Sequence, residues 1–310
     1  MSATATAADA LAAALPGRVW RDAPSAQLTT YRCGGPIAVL VRAGSPADLE
    51  AVADAVREHG TEVLVVGRGS NLLVADEGFD GIGVVLEGGF DALDVDAGAS
   101  EVRAGGAVAL PVLARRAAAA GVGGLEFFVG IPGSVGGAVR MNAGGHGRET
   151  RDVLVDACVF SFDTASTRVR GPEELALGYR RSALGPRDVV TAARFAGVPA
   201  EPADAGGRIE EIVRWRREHQ PGGQNAGSVF TNPPGDAAGR LIDACGLKGL
   251  RIGGVCVSEK HANFFVADPG ARAADVRALV REVQRRVAAA TGVHLEPEVH
   301  MVGFPEEDRG

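Results

Sequence analysis

Apolar side chains recur at helical spacing in several stretches of the chain, and these stretches predict the helices. The clearest helix begins at Ser45, which is followed by Pro46 and by acidic residues. Serine is favoured as an N-cap, proline fits the first helical position, and acids stabilise the first turn. Gly60 ends the helix. Further helices are predicted over residues 110–120, 208–218, 236–245 and 273–290, and the alanine-rich N-terminus predicts a short surface helix or arm.

Runs of β-branched and apolar residues predict the strands. Residues 62–66 and 81–86 have the composition of buried strands, and residues 93–102 alternate as a hairpin would. Other strands are predicted at 153–162, 189–195, 253–257, 263–266 and 298–302. The mixture of elements, without an internal repeat, predicts an α+β fold.

Changes in composition predict the domain organisation. The stretch from Pro199 to Gly207 is rich in proline, alanine and glycine, and we place the main domain boundary there. Two lobes precede it, and a third unit with its own helices follows. The predicted segments are an N-terminal arm (1–26), a first lobe (27–90), a second lobe (91–198), a C-terminal domain (199–305) and an acidic tail (306–310).

Composition and charge limit the kinds of ligand that the protein is expected to bind. The 310 residues are 46% hydrophobic and 23% charged, as in soluble globular proteins, and the net charge of −7 does not predict binding to nucleic acid or anionic lipid. The four cysteines lack metal-ligand spacing, so no metal site is predicted. The N-terminus has no basic region and carries Asp9, which argues against a signal peptide. We expect a cytoplasmic protein that binds a small molecule.

A first glycine-rich loop, VVGRGSNLLV, follows the predicted strand at 62–66. Gly67 and Gly69 allow backbone N–H groups to approach a phosphate, and Ser70 and Asn71 add side-chain donors. A dinucleotide fingerprint needs a third glycine where Leu72 stands, and no helical pattern follows. The loop is therefore a poor Rossmann candidate, and a tight structural turn remains the alternative.

A second loop, GIPGSVGGAVRMNAGG, has four glycines between positions 130 and 137. No Gly-Lys-Ser/Thr follows, which argues against triphosphate chemistry. Four glycines exceed the need of one turn, whereas a backbone pressed against a flat or pyrophosphate-bearing ligand would require them. If so, Gly136→Val should give apoprotein.

Together the two loops resemble the FAD-binding half of the vanillyl-alcohol-oxidase (PCMH-type) flavoproteins. More narrowly, the chain is similar to the UDP-N-acetylenolpyruvoylglucosamine reductase family. The motifs that carry the similarity run in order from about Gln27 to Gly303: Thr29-Thr30 with Gly34-Gly35, then VVGRGSNLLV, GIPGSVGGAVRMNAG, GYRRS, AGSVFTNP, AGRLIDACGLKG, VSEKHANFF and LEPEV. No single motif decides the match.

This resemblance implies the cofactors FAD and NADPH and a two-lobed FAD-binding domain followed by a substrate-binding α+β domain. NADPH would reduce the flavin, and the enolpyruvyl group of a UDP-sugar would then be reduced to a lactyl ether for peptidoglycan synthesis. The predicted cofactor-binding residues are Gly67, Gly69, Ser70, Asn71, Leu72, Gly130, Ile131, Pro132, Gly133, Ser134, Gly136, Gly137, Asn142 and position 143, which is an alanine in this sequence.

The resemblance also implies the catalytic set. It places the catalytic arginine at Arg180, whose planar guanidinium can hold a carboxylate, the proton donor at Ser228, and the catalytic acid at Glu298. Tyr179 and Asn232 are predicted to contact the substrate. Lys260 and His261 are expected on the substrate's side but outside the catalytic set, and the reach of His219 is left open. Many relatives carry lysine at the position of Thr231, so a charged contact is lost or replaced there.

Two other functions are open on sequence alone. An FAD-dependent alcohol or sugar oxidase of the same fold would not require AGSVFTNP or LEPEV. A non-catalytic nucleotide-binding module would not require Arg180, Ser228 and Glu298. The short region from 189 to 223 indicates the family type that lacks an extra tyrosine-bearing loop, and we expect a monomer.

Overall fold

The structure, a computed structural model, describes residues 2–305; the predicted tail at 306–310 lies outside them. The chain divides into two compact units that alternate along the sequence. Unit 1 contains residues 2–22, 38–68 and 80–216, and unit 2 contains residues 23–37, 69–79 and 217–305. Within the described part, we find no helix with the length and apolar character to cross a membrane.

Residues 2–305 contain seven α-helices, and apolar periodicity predicts most of them. Ser45 caps the second helix by accepting a hydrogen bond from Asp48 N, the Asp48 carboxylate bonds the backbone in return, and Gly60 ends the helix with φ +66°. The helices are α1 (Ala3–Ala14), α2 (Pro46–His59), α3 (Leu110–Ala119), α4 (Val135–Met141), α5 (Pro202–His219), α6 (Ala238–Ala244) and α7 (Ala273–Thr291).

The described residues also form eighteen strands, several of them very short. They are β1 (Val19–Pro24), β2 (Pro36–Ala43), β3 (Val63–Val66), β4 (Leu72–Val74), β5 (Phe79–Leu86), β6 (Leu93–Asp96), β7 (Glu101–Gly105), β8 (Val122–Gly123), β9 (Gly144–Gly145), β10 (Arg148–Glu149), β11 (Leu154–Ser161), β12 (Ser166–Arg170), β13 (Asp188–Ala196), β14 (Val198–Pro199), β15 (Arg251–Ile252), β16 (Val255–Val257), β17 (Phe265–Ala267) and β18 (His300–Val302).

Two sheets account for most of unit 1. A four-stranded sheet has the order β1-β2-β5-β3, with β3 and β5 parallel, and α1 and α2 contribute to its apolar core. A five-stranded sheet has the order β12-β11-β13-β7-β6, and its described pairs are antiparallel. A second core packs α3 and α4 against this sheet and includes Phe128 and Phe195. The predicted hairpin at 93–102 is β6 and β7.

Unit 2 has one apolar core of its own, built on α6, α7 and a three-stranded sheet of order β15-β16-β17. Strand β4 joins this unit by parallel pairing with β18, the last strand of the described chain, so that Leu72 lies opposite His300. Ala273 N donates a hydrogen bond to Asp76 Oδ1 at 2.9 Å, and this bond fixes the segment after β4 to the start of α7. Two segments 197 positions apart thus become neighbours.

The structure departs from the sequence predictions at three places. Residues 202–207, predicted as part of a linker, belong to α5, which begins at Pro202 and buries Ala205 and Ile209. Residues 135–141 of the predicted second loop form α4, because Ser134 caps them and Val135, Ala138 and Val139 are buried. In the predicted N-terminal arm, residues 3–14 form α1, one face of which is buried against α2, and residues 19–24 form strand β1. The other predicted domain bounds stay predictions.

We expect Gly207→Ala in α5 to raise stability. Gly207 is exposed within the helix and an added Cβ would meet no atom within 4 Å, so the substitution should add about 1 kcal/mol to the free energy of unfolding. Chemical unfolding measures it. Gly60→Ala is the matched control: it also has open space, but at φ +66° it should lose about 1 kcal/mol. Equal effects of the two variants would contradict this account.

Candidate active site

The two glycine-rich loops meet within unit 1. Strand β3 ends at Val66, and a Cβ added to Gly67 would lie 2.7 Å from the hydroxyl oxygen of Ser134. The Ser134 hydroxyl accepts a hydrogen bond from Gly137 N at 3.4 Å and so caps α4. The two loops, which the sequence could only suggest as neighbours, are adjacent in the fold, and a side chain at position 67 would displace the Ser134 hydroxyl that caps α4.

The rest of the first loop belongs to unit 2. Gly69 has φ +60°, and a Cβ there would lie 1.8 Å from the carbonyl oxygen of Leu28, so only glycine fits. Thr30 N donates to Gly69 O at 3.1 Å. The segment around Thr29, part of the sequence resemblance, therefore lies directly against the loop. Leu72 is buried in β4, so its side chain serves the core.

Asn71 and Glu298 are brought together in unit 2. The Asn71 side-chain amide donates to the carbonyl oxygen of Glu298 at 3.0 Å, and His300 N donates to the carbonyl oxygen of Asn71 at 3.0 Å. The β4–β18 pairing continues this register. A predicted cofactor-loop residue and the predicted catalytic acid are thus neighbours although 227 positions separate them.

Gly136 and Gly137 of the second loop differ in how closely neighbouring atoms surround them. Gly136 N donates to Gly106 O at 2.9 Å, and a Cβ on Gly136 would lie 3.2 Å from the carbonyl oxygens of Gly106 and Val190. An added Cβ would therefore require these carbonyl groups to move by a few tenths of an ångström, so Gly136→Val would test packing as well as ligand binding. The nearest atom to a Cβ on Gly137 is the Ser134 hydroxyl oxygen at 3.6 Å, so packing does not require glycine there.

The rest of the second loop is anchored to unit 1. Gly133 O accepts from Leu110 N at 3.0 Å, and Ile131 N bonds back to Phe128 O. Gly130 lies against His146, whose ring packs edge-to-face on Trp215. Burial lowers the pKa of His146, and the neighbouring positive charge of Arg216 lowers it further.

Arg180 projects from a tight turn in unit 1. Gly178 N donates to Arg181 O at 3.0 Å, and Arg181 N donates to Gly178 O at 3.2 Å, which closes the turn. Arg180 itself has φ +54°, a backbone conformation that residues other than glycine rarely adopt. Its guanidinium donates to Gly144 O at 3.3 Å and lies 5.2 Å from the ring centre of half-exposed Tyr179.

Asn142 is fully buried at the end of α4, and both the nitrogen and the oxygen of its side-chain amide form hydrogen bonds within the protein. The amide nitrogen donates to Gly178 O and to a Glu149 carboxylate oxygen, both at 3.0 Å. The amide oxygen accepts from Arg151 N at 2.9 Å. The predicted cofactor role of Asn142 stays a prediction, but its side chain is engaged with the arginine turn.

Ser228 and Glu298 lie on adjacent backbone segments of unit 2. Glu298 N donates to the carbonyl oxygen of Val229, next to Ser228, at 2.7 Å. The sequence did not point to Asn263, which fixes the segment after Ser228: its amide nitrogen donates to Phe230 O at 2.8 Å, and its amide oxygen accepts from Phe230 N at 2.9 Å. A buried asparagine inside the apolar run ANFFV was the available signal.

The remaining predicted residues of unit 2 have structural partners. Asn232 accepts from Ala238 N at 3.0 Å and so supports the start of α6, while Thr231 donates to Glu296 O at 3.3 Å. Lys260 donates to the carbonyl oxygen of Arg217. Burial lowers the pKa of His261, which favours the neutral imidazole.

The fold thus assembles two sets of candidate residues. Unit 1 brings Gly67 to the second loop and Arg180 to Asn142, and unit 2 brings Asn71 and Ser228 to Glu298. Among residues 2–305 no cluster of histidine, cysteine and acidic side chains could hold a metal ion. The glycine-lined approach of the two loops fits a flavin nucleotide, and a guanidinium, a hydroxyl and a carboxyl group can bind an anion and transfer protons.

Comparison with known proteins identifies the class first. Residues 37–161 match the family described as "FAD binding domain", which covers both glycine-rich loops, so the chain is an FAD-binding oxidoreductase. Residues 219–302 match the "UDP-N-acetylenolpyruvoylglucosamine reductase, C-terminal domain". The chain belongs to the UDP-N-acetylenolpyruvoylglucosamine reductase family, whose members use FAD and NADPH.

Relatives match over nearly the whole chain. A reductase of this name from Paramagnetospirillum magneticum is 44% identical over 290 residues, which is 93% of each chain. One from Rubrobacter xylanophilus is 43% identical over 286 residues, 92% of this chain and 95% of the relative. The crystal structure of the Thermus caldophilus reductase superposes with a TM-score of 0.79 at 38% identity and covers 92% of this chain and 98% of that one. The expected fold is confirmed, and the oxidase alternative is not favoured.

Two glycine substitutions separate packing from cofactor binding. Gly137→Ala should leave the thermal stability of the apoprotein within a few degrees of wild type, yet weaken FAD binding about tenfold or more if the backbone lies against the cofactor. Gly136→Ala, in the same helix, should give a less stable apoprotein than Gly137→Ala, because its Cβ would lie 3.2 Å from two carbonyl oxygens. Flavin absorbance after reconstitution and thermal unfolding measure the two effects. Wild-type FAD affinity in Gly137→Ala would contradict the assignment of this loop.

Proposed function

We propose that this protein carries out the family reaction with Arg180, Ser228 and Glu298 as its catalytic residues. The reaction reduces the enolpyruvyl group of the UDP-sugar to the lactyl ether of UDP-N-acetylmuramate. The observation that carries the residue assignment is the backbone bond from Glu298 N to Val229 O, which holds the acid beside the segment that contains Ser228. Retention of both residues, with Arg180, also argues against a non-catalytic nucleotide-binding module.

The two glycine-rich loops would hold FAD, with Gly67, Gly69 and Gly137 allowing the close approach of backbone N–H groups. When bound, FAD would accept a hydride from NADPH and transfer it to the enolpyruvyl carbon C3. Ser70 and Asn71 would add side-chain donors. The other predicted cofactor residues are proposed as backbone or packing contacts of the same loops.

Arg180 would bind the carboxylate attached to C2. Negative charge accumulates on this carboxylate and C2 as C3 gains hydride, so a fixed cation stabilises that charge where it develops. The guanidinium is suited to the task because it remains charged and can bond both carboxylate oxygens. Its contacts with Gly144 O and the Tyr179 ring restrict its orientation. Tyr179 would line the substrate's side, and Asn232 would contribute on unit 2.

Ser228 would give a proton to C2, and a protonated Glu298 would donate a hydrogen bond to the developing charge. A hydroxyl is a weak acid, but a carbanion-like centre requires only a nearby, well-aimed donor. The backbone pairing of Glu298 with Val229, together with the Asn263 amide, limits movement of the segment that contains Ser228. This restriction would keep the Ser228 hydroxyl oriented toward C2.

The wider assignments are part of the same proposal. We infer a cytoplasmic monomer of the family type without the tyrosine loop, acting on a small molecule, with no nucleic-acid or membrane partner. Its product would supply peptidoglycan precursor synthesis and so support cell shape and division. The net charge of −7 supports local recognition of the anionic substrate by placed donors rather than by the overall field.

Substitution of the proposed proton donor tests this function. Ser228→Ala should retain FAD and its reduction by NADPH, but slow flavin reoxidation by the enolpyruvyl substrate about a hundredfold or more, because C2 loses its donor. Anaerobic stopped-flow absorbance separates the two half-reactions. Glu298→Gln keeps a hydrogen-bond donor and should slow the second half-reaction less than Glu298→Ala does.

A wild-type reoxidation rate in Ser228→Ala would show that the proton donor is misassigned. Flavin reduction by a simple alcohol or sugar without NADPH would support the oxidase alternative instead. A purified protein without flavin absorbance would support a non-catalytic module.

A further inference from the structure

We propose that Asn142 is a positioning residue that acts through Arg180: its side-chain amide holds the turn of residues 178–181 in the conformation that presents the guanidinium. This inference rests on the proposed role of Arg180. It assigns the Asn142 side chain to the substrate half-reaction rather than to FAD binding, and the two assignments predict different measurements.

The hydrogen bonds of Asn142 define its role. The amide nitrogen has two hydrogens, and both are donated, one to Gly178 O and one to the carboxylate of Glu149, each at 3.0 Å. The amide oxygen accepts from Arg151 N at 2.9 Å. Only one orientation of the amide satisfies two acceptors and one donor, so the assignment of its nitrogen and oxygen is settled by its partners. The side chain is completely buried, and these bonds are therefore costly to lose.

The turn that Asn142 contacts places Arg180 in an unfavourable backbone conformation. Arg180 has φ +54°, in the left-handed region, and residues other than glycine persist there only where the surrounding structure holds them. Residues held in this way cluster at functional sites. The Gly178 carbonyl is the atom at the start of the turn that accepts from both Arg181 N and Asn142. Loss of the amide donor would release this end of the turn.

A second contact holds the other end of the turn. The Ser182 hydroxyl donates to Arg140 O at 2.6 Å, and Arg140 in turn donates to Gly185 O at 2.7 Å. Both anchors come from the last residues of α4, since Arg140 is in its final turn and Asn142 is its C-cap. The end of α4 thus forms hydrogen bonds with both ends of the Arg180 turn.

Asn142→Asp is the most specific test of the contact. Aspartate keeps the shape of asparagine and tolerates the left-handed conformation at φ +42°, but it turns the donor into an oxygen that faces the Gly178 carbonyl and the Glu149 carboxylate. The turn should move away from this oxygen and carry the guanidinium with it. Misplacement of a catalytic group by about 1 Å can cost about a hundredfold in rate.

We expect Asn142→Asp to retain wild-type FAD affinity and a wild-type rate of flavin reduction by NADPH, and to slow reoxidation by the enolpyruvyl substrate by ten- to a hundredfold. Thr150→Val is the matched control. Thr150 is equally buried and its hydroxyl donates to Ala143 O at 2.9 Å, next to Asn142 but with no bond to the turn. Its half-reactions should match wild type.

A double-mutant cycle with Arg180→Lys tests whether the effect passes through Arg180. If Asn142 acts only by placing the guanidinium, Asn142→Asp should add little to the loss already caused by Arg180→Lys. Independent, multiplying losses would overturn the inference while leaving the role of Arg180 intact. A wild-type substrate half-reaction in Arg180→Lys would instead overturn the proposed function.

FAD affinity provides the other decisive outcome. Loss of FAD binding in Asn142→Asp, with Thr150→Val unaffected, would assign the side chain to the cofactor and overturn the positioning role. If Asn142→Asp does not fold, Ser182→Ala decides: it releases the other end of the turn and should slow substrate-dependent reoxidation about tenfold without changing flavin reduction by NADPH. A wild-type rate in Ser182→Ala would then contradict the inference.

Discussion

The parallel pairing of β4 with β18 is the constraint on which the candidate site of unit 2 depends. It joins a three-residue strand directly after the first glycine-rich loop to the last strand described, and it aligns Leu72 with His300. Asn71 and Glu298 occupy the positions just before this register and bond to one another through the Asn71 amide. Because Glu298 also pairs with Val229, one short run of backbone bonds places three distant motifs together.

Unit 1 uses a different device for the same purpose. The proposed catalytic arginine belongs to a turn rather than to a strand, and hydrogen bonds between this turn and the end of α4 hold it. Helix α4 follows directly from the second glycine-rich loop, with Ser134 as its cap. One short helix therefore connects the segment predicted to hold the cofactor with the residue predicted to bind the substrate's carboxylate.

Local signals explain what the sequence predicted well. Helix α2 has a serine cap, an acidic first turn and a closing glycine, and each acts within a few residues, so its bounds follow from the sequence alone. The strands around 62–66 and 153–162 have β-branched composition and were also expected. Ordered motifs identified the family without any knowledge of the fold's contacts, and the catalytic positions that they imply stay predictions.

What the sequence could not predict depends on distant contacts. The engagement of Asn142 with Gly178 and the clamp of Asn263 on Phe230 join residues more than 30 positions apart, and neither has a local pattern. Helix α4 was hidden because two glycines weaken helical propensity, whereas burial of Val135 and Val139 overrides it. The predicted cofactor role of Gly136 stays a prediction, and the close approach of this position to two carbonyl oxygens is a packing constraint that the sequence did not show.

The most direct test of the account follows the proton and hydride to their carbons. NADPH-reduced wild-type enzyme is mixed anaerobically with the enolpyruvyl substrate in D2O, and the product is examined by NMR while flavin absorbance is recorded. We expect reoxidation of the flavin without oxygen and one solvent deuterium at C2 of the new lactyl group. Flavin that stays reduced in the presence of substrate, or a product with protium at C2, would contradict the account.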